Sequence, residues 1–458
     1  MAATTASSLQ TFDIIILGAT GFTGKHVLKQ ALKFFNNNNK NNNLNLNSIA
    51  IAGRNQSKLT QTLNWATRPD PPPSIPILIA DTTDPTSLRS LCLKTRLILN
   101  CVGPFRRHGE PVVAACVETG CDYLDITGES EFMDRVEIGY HEKSVKNGSL
   151  IVSACGFDSV PAEIGLLFHL KQWVGGCLPN RVEAFLSAES EKKMVGNFGT
   201  FESAVLAVAD LKEMRLRRDA QVIKRAKPVI PGPTPKGKTI EHQKKIGLWG
   251  ITLPSADATL VGKTFSTLTE NPDGLQGLNE SSETVEKRKA FWSSVKPVHF
   301  GVKLGSKSLL GIFGYIAFGI ILGLFGSTSF GRRLLLKYPS IFSLGGFSKN
   351  GPSEEEVESA SFKMWFVGHG FSDESLAAKE NSKPDTEIIT RITGPEMGYV
   401  TTPIIMIQCA LIVLSQRNNL PRGGVYTPGI VFGPTDLQER LEQNGISFDV
   451  ISKSKLSS

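Results

Sequence analysis

Seven residues near the start constrain the fold more than any others. Gly18-Ala19-Thr20-Gly21-Phe22-Thr23-Gly24 directly follows the apolar run Ile14–Leu17 and opens a helical pattern. Each glycine has its own physical reason. The first permits a tight turn at the strand end, and the second lets backbone approach a pyrophosphate. The third lets helix pack against strand, so that phosphates sit at the positive helix N-terminus. The loop residues expected to touch a dinucleotide are Gly18, Thr20, Gly21, Phe22, Thr23 and Gly24. A tight turn without a ligand is the plain alternative. The strand before and the helix after favour the nucleotide.

Residues 12 to 153 continue that alternation. Apolar runs at Asp13–Leu17, Ile49–Ala52, Ile75–Ala80, Leu97–Cys101, Tyr123–Ile126 and Leu150–Ser153 are separated by helical stretches. The clearest helices are His26–Phe35, Ser57–Trp65, Pro111–Glu118 and Phe132–Asn147. This spacing predicts an α/β domain over 1–155, a doubly wound parallel sheet of Rossmann type. The run from Asn36 to Asn47, nearly all Asn, cannot supply core and reads as a floppy insertion.

From 156 to 458 the pattern changes to α+β. Arg181–Ser187 reads as a strand, Thr200–Arg218 as a helix and Lys227–Lys238 as a surface loop. Ala360–Val367 and Glu387–Thr393 could pair antiparallel, and 398–416 is an apolar helix able to pack back on the first domain. Leu309–Gly326 carries no charge over eighteen residues. As a helix it would span about 27 Å, slightly less than a bilayer core of roughly 30 Å. It contains five glycines and is flanked by Lys303, Lys307, Arg332 and Arg333. It reads either as a buried core helix or as a membrane-associating segment.

Charge sharpens the second choice. The formal net charge is +7, and Lys212–Lys245 alone holds eleven Lys and Arg against three acidic residues. Such a run is a solvated face or an anion-seeking one, suited to lipid headgroups or nucleic acid. With the apolar segment beside it, a membrane or lipid-droplet surface is expected and no nucleic acid. The seven cysteines show no paired metal spacing and read as reduced thiols in an intracellular protein. No signal peptide is expected ahead of Phe12.

The end of the second strand chooses the cofactor. An acidic residue there would hold the ribose hydroxyl of NAD. Here stand Gly53-Arg54-Asn55, with Lys58 one turn on, which suit the 2′-phosphate of NADP. Asp81 ends the third strand. Asn100, Val102, Gly103 and Pro104 follow the fourth, beside the expected nicotinamide ribose. The reacting group is less evident, because the chain has no Tyr-x-x-x-Lys, no G-x-S-x-G and no His cluster. The catalytic candidates are Asp125, Cys155 and His108, with Glu129 and Asp158 at the same strand ends.

Several segments recur together in one family. The glycine loop, Ala52-Gly53-Arg54, Gly103-Pro104-Phe105, Gly109-Glu110-Pro111, Tyr123–Glu129 and Cys155–Pro161 resemble the saccharopine dehydrogenase-like oxidoreductases. So do Gly423–Pro428 and Arg440–Ile446. The resemblance implies an NAD(P)-binding Rossmann domain followed by a second domain. It also implies similarity to bacterial trans-acting enoyl reductases, and a lipid-droplet or mitochondrial location. Saccharopine reductases carry Gly-Leu-Asp-Pro-Gly where this chain has Gly156-Phe157-Asp158-Ser159-Val160, and lack the apolar segment. Those departures point away from lysine metabolism. The expectation is therefore an NADP-dependent oxidoreductase acting on a lipid-like small molecule, with a homo-oligomer open. The alternatives are a non-catalytic nucleotide-binding scaffold on lipid surfaces and a saccharopine dehydrogenase of lysine metabolism.

Overall fold

A computed structural model describes residues 12–38, 48–70, 74–220, 225–252, 255–379 and 381–456, with backbone alone for 35–38 and 210–220. The Asn-rich stretch beyond residue 38 and the side chains that begin the basic run therefore lie outside the described residues. The chain divides into two compact units. One is 1–158 with 275–284 and 398–437; the other is 159–274, 285–397 and 438–458.

The first unit is built on a seven-stranded parallel sheet. Its strands are β1 (Phe12–Leu17), β2 (Ile49–Gly53), β3 (Ile77–Ile79), β4 (Thr95–Asn100), β5 (Asp122–Asp125), β6 (Leu150–Val152) and Gly424–Tyr426. Their order is Gly424–Tyr426, β6, β5, β4, β1, β2, β3. The chain thus runs outward from β1 in both directions, which makes the β1/β4 junction a topological switch point. β2 is buried at every position, and β1 from Asp13 onward, as befits strands covered on both faces.

Helix boundaries depart from expectation after β4. Pro111 suits a helix start, yet the helix runs Phe105–Thr119 with Pro111 inside it. The early start is supplied from another loop: the Glu129 carboxylate accepts from the backbone N–H of Phe105 and of Arg106, each at 3.0 Å. Residues from far along the sequence also join this unit. Gly424–Tyr426 hydrogen-bonds alongside β6. The apolar helix Thr402–Ser415, buried except at its last residue, lies on helix Phe22–Asn38 and β4. An irregular π-turn, Met397–Thr401, leads into it. The division expected at 155/156 falls at 158/159 instead, and these later segments group with the first unit. A three-residue strand carries no periodicity that could announce this.

The second unit carries a mixed sheet ordered Ser447–Lys455, Thr386–Pro395, Ala360–Phe371, Leu178–Ser190, His299–Ser306, Leu248–Thr252, Ile240–Gln243. Ala360–Phe371 and Thr386–Pro395 pair antiparallel, and only Leu178–Ser190 with His299–Ser306 is parallel among these neighbours. Helix Val160–Leu170 covers one face, with ten of its eleven residues buried.

Leu309–Gly326 is a helix capped by the Ser308 hydroxyl, which accepts from Gly311 N–H at 3.2 Å. Phe318, Ile321, Leu322 and Phe325 pack on Phe201, Val205 and Leu335 of two neighbouring helices. Leu310, Phe313, Ile320 and Leu324 stay exposed, and only Ile312 and Gly326 are buried. The helix is therefore not a core helix of its unit. Its flanking cations are not all free for headgroups. Lys303 is buried against Glu183 and Glu241, and Lys307 pairs with Glu189 at 2.9 Å.

Candidate functional site

The glycine loop shows which glycines the chain needs for itself. Gly18 has φ +85°, in the left-handed region, and a Cβ there would stand 2.6 Å from Val102 Cγ2. A Cβ on Gly24 would clash with the Gly18 carbonyl oxygen. A Cβ on Gly21 meets nothing nearer than that same oxygen, at 3.3 Å. Packing thus forbids a side chain at Gly18 and Gly24 outright and constrains Gly21 less severely. Gly21 and Thr20 are exposed at the start of helix Phe22–Asn38, with Phe22 and Thr23 half-buried. An exposed glycine at a positive helix end fits an anionic diphosphate.

At the end of β2, Arg54 and Lys58 are both exposed. Asn55 between them caps the next helix by accepting from Lys58 N–H at 2.9 Å, which leaves the Lys58 side chain uncommitted by the cap. Asp81 follows β3. Its Oδ1 accepts from the Thr83 N–H and hydroxyl, each at 2.9 Å, and these bonds hold its carboxyl below the usual range, with smaller help from Arg54 and His108. Asp84, not Asp81, caps the following helix.

His108 lies within helix Phe105–Thr119, and its Nδ1 is 3.3 Å from the Thr82 hydroxyl. That places it with Asp81 and Arg54, beside the ends of β2 and β3.

The other half of the sheet edge is a sealed polar network. Asn100, fully buried, accepts from Val102 N–H at 3.0 Å and donates to Tyr123 Oη at 3.1 Å, which fixes the loop through Val102, Gly103 and Pro104. Tyr123 donates in turn to Asp125 Oδ2 at 2.8 Å, and Ser153 donates to the same oxygen at 3.0 Å. Asp125 Oδ1 accepts from Thr127 N–H at 3.0 Å and Ala154 N–H at 2.9 Å. Burial pushes this carboxyl up to about 6. Every acceptor direction of Asp125 is thus taken by the chain. Cys155 is equally closed: fully buried, its thiol is directed at the Val152 carbonyl at 3.5 Å and its N–H at Asp125 O at 2.7 Å. Asp125 and Cys155 hold the loop, and neither presents a reacting atom. The geometric consequence is at Ala154, a non-glycine residue at φ +61°, strained backbone kept in place by the Asp125 carboxylate.

One cluster escaped the sequence. Tyr399, from the π-turn, stands edge-on to Phe22 with centroids 4.7 Å apart, and His26 lies 5.7 Å from Tyr399 and 5.1 Å from Trp65. Lys25 Nζ sits 4.1 Å over the Phe22 ring. Burial, helped by Lys25 and Lys29, lowers His26 to about 3, so its ring is neutral. This packing fixes the first turn of the phosphate-side helix. Nothing local to Tyr399 signals a partner nearly four hundred residues earlier.

Residues 14–152 match the family described as the saccharopine dehydrogenase NADP binding domain. The chain is 63% identical over 448 residues to an Arabidopsis thaliana protein named "Probable mitochondrial saccharopine dehydrogenase-like oxidoreductase", covering 97% of each. The human saccharopine dehydrogenase-like oxidoreductase is 34% identical, over 98% of this chain and 100% of its own length. The chain belongs to the saccharopine dehydrogenase-like oxidoreductase family. A Caenorhabditis elegans member of similar length, named "Lipid droplet localized protein", is 28% identical over 96% of this chain and 99% of its own. Similarity to a Mycobacterium tuberculosis protein, provisionally named a trans-acting enoyl reductase, is 35% but covers only 34% of this chain and 36% of that one. The apo saccharopine dehydrogenase (L-Glu forming) of Saccharomyces cerevisiae has the same fold, at TM-score 0.50 and 11% identity over 96% of this chain and 100% of that one. As a member of the saccharopine dehydrogenase-like family, the chain has a nicotinamide dinucleotide as its cofactor, held by the Rossmann-type unit.

Proposed function

We propose that this chain is an NADP-dependent reductase acting on a lipid-like substrate at a lipid surface. The observation that carries the reading is the pairing of an exposed Gly21 at a helix start with exposed Arg54 and Lys58 at the end of β2. The loop from Gly18 to Gly24 would receive the diphosphate, and Arg54 with Lys58 the 2′-phosphate. Asn100 would hold Val102 and Gly103 against the nicotinamide ribose. The bound cofactor would supply hydride, and the chain's part is to orient it and exclude water. The exposed apolar face of Leu309–Gly326 would rest on a monolayer or bilayer. Mitochondria or lipid droplets are then the expected locations, in line with the names carried by the Arabidopsis and C. elegans relatives.

A second reading keeps the nucleotide and drops the chemistry. The closure of Asp125 and Cys155 favours a scaffold or sensor on lipid. Titration with NADPH and NADH, followed by flotation with anionic phospholipid vesicles, tests the proposal. NADPH is expected to bind more tightly, and Arg54→Ala to narrow the gap by roughly 1.5–3 kcal/mol. Equal affinities remove NADP, and protein left at the bottom of the gradient removes the lipid surface.

A further inference from the structure

We propose that the turn after helix Ser329–Lys337 is a second lipid contact, separate from the exposed face of Leu309–Gly326. Ile341 and Leu344 enter the acyl layer of an anionic phospholipid surface, while Arg333 and Lys337 meet its phosphates. This rests on the lipid-surface reading above and adds to it a place and a lipid class.

Three consecutive helices, Leu309–Gly326, Ser329–Lys337 and Pro339–Phe342, share one core. Phe325 of the first, Leu335 and Leu336 of the second and Phe342 of the third belong to it, with the Phe325 and Phe342 rings 5.0 Å apart. The residues left outside are ordered. On the first helix Leu310, Phe313, Ile320 and Leu324 recur at helical spacing, opposite the packed side. On the second the exposed stripe is Phe330, Arg333 and Lys337. It begins apolar, turns basic and runs on into exposed Ile341 and Leu344. An apolar stripe that carries cations suits a helix lying in an interface. The long basic stems can follow the apolar layer while their charges stay with the phosphates.

Leu344 adds an observation of another kind. It is 77% exposed and stands at φ +51°, a backbone region that a bulky residue seldom adopts. The turn is closed by its neighbour, since Gly345 N–H donates to the Ser340 carbonyl at 2.6 Å. A glycine at 344 would carry less strain and expose less apolar surface. The leucine is therefore explained by what it meets outside the chain.

Charge selects the occupant. From Ser308 to Ser353 the chain holds Arg332, Arg333, Lys337 and Lys349 and no acidic residue. Arg332 is spent on the Gly326 carbonyl, at 3.0 Å. Arg333 and Lys337 are exposed and form no ion pair among the described residues. Lys193, also exposed, brings its ammonium against Gly345, next to Leu344. Two copies meeting through this face about a twofold axis would set these cations against one another. Phospholipid phosphates meet them with the opposite charge, and each cation near such a surface adds to the attraction.

The test is flotation of the full-length chain with two vesicle preparations, phosphatidylcholine alone and phosphatidylcholine mixed with phosphatidylserine. Wild type should partition onto the mixed vesicles more strongly. Arg333→Gln with Lys337→Gln should cut that partition about 30-fold and leave the weaker binding to plain vesicles as it was. Leu344→Gly should lower partition onto both preparations about tenfold. Its melting temperature should not fall, because glycine takes φ +51° without strain. Wild type that floats equally well with both preparations overturns this contact and leaves the lipid-surface reading standing. Variants that float like wild type do the same, as does a Leu344→Gly chain that melts early. Wild type that floats with neither overturns the lipid-surface reading, and this contact with it. A dimer in sedimentation equilibrium that Leu344→Gly dissociates makes the occupant a second copy and overturns the proposal.

Discussion

Glu129 and Arg106 form a buried ion pair at 2.9 Å, with side chains only 6% and 7% exposed, between the loop after β5 and the first turn of helix Phe105–Thr119. The same carboxylate also takes the first two free N–H groups of helix Phe105–Thr119. One side chain therefore ends the β4 loop, starts its helix and neutralises a buried guanidinium. Removing one partner of such a pair leaves an uncompensated charge. Glu129→Ala is expected to destabilise the chain by about 3–5 kcal/mol, read by urea unfolding. A change under about 1 kcal/mol would show that the carboxylate is not capping the helix.

Asp125 makes stability depend on pH. Burial raises its folded value to about 6, against an ordinary value of about 3.9 in the unfolded chain. The stability it contributes is whole below the ordinary value and is lost as pH rises through about 6. The loss is on the order of 3 kcal/mol. Wild type should lose melting temperature relative to Asp125→Asn between about pH 4 and 7. Parallel curves for the two proteins across that window would contradict the assigned burial.

Two of the loop glycines should separate. Gly24→Ala forces a methyl into the Gly18 carbonyl and should lower the melting temperature. Gly21→Asp meets the same oxygen only at 3.3 Å and should lower the melting temperature less, while its carboxylate repels phosphate at the helix start. Fluorescence titration should then find NADPH binding lost. Tight binding by Gly21→Asp would show that the phosphate contact lies elsewhere.

The exposed side of Leu309–Gly326 can be tested without disturbing the side that packs. Leu310→Glu with Leu324→Glu changes two exposed positions and leaves Phe318, Ile321 and Phe325 on their neighbours. The double variant should stay folded by circular dichroism and lose flotation with vesicles. Retained flotation would mean that another surface holds lipid.

Much of the first unit was readable in the sequence because burial on both faces writes unbroken apolar runs, as in Ile14–Leu17 and Ile49–Ala52. The glycine loop was readable because each of its constraints is local. Strand-end position proved a weak guide to chemistry. It flagged Asp125 and Cys155 without showing that their polar atoms turn inward to bind loops. The helix start at Phe105 was missed because it depends on Glu129, some twenty residues later. Tyr399 and Gly424–Tyr426 were hidden because their roles arise only on contact with distant segments.

The strand Gly424–Tyr426 has a consequence for how the chain is made. It fills the edge beside β6, and Thr402–Ser415 covers helix Phe22–Asn38. A ribosome that has released the first 155 residues has therefore exposed a sheet with an open edge and an uncovered apolar helix flank. That intermediate is sticky, and it stays so until more than 400 residues have emerged. Completion of the nucleotide-binding unit is deferred almost to the end of translation, so truncated or stalled products should aggregate rather than survive as a free nucleotide-binding domain. Their accumulation in an insoluble fraction is the signature to seek.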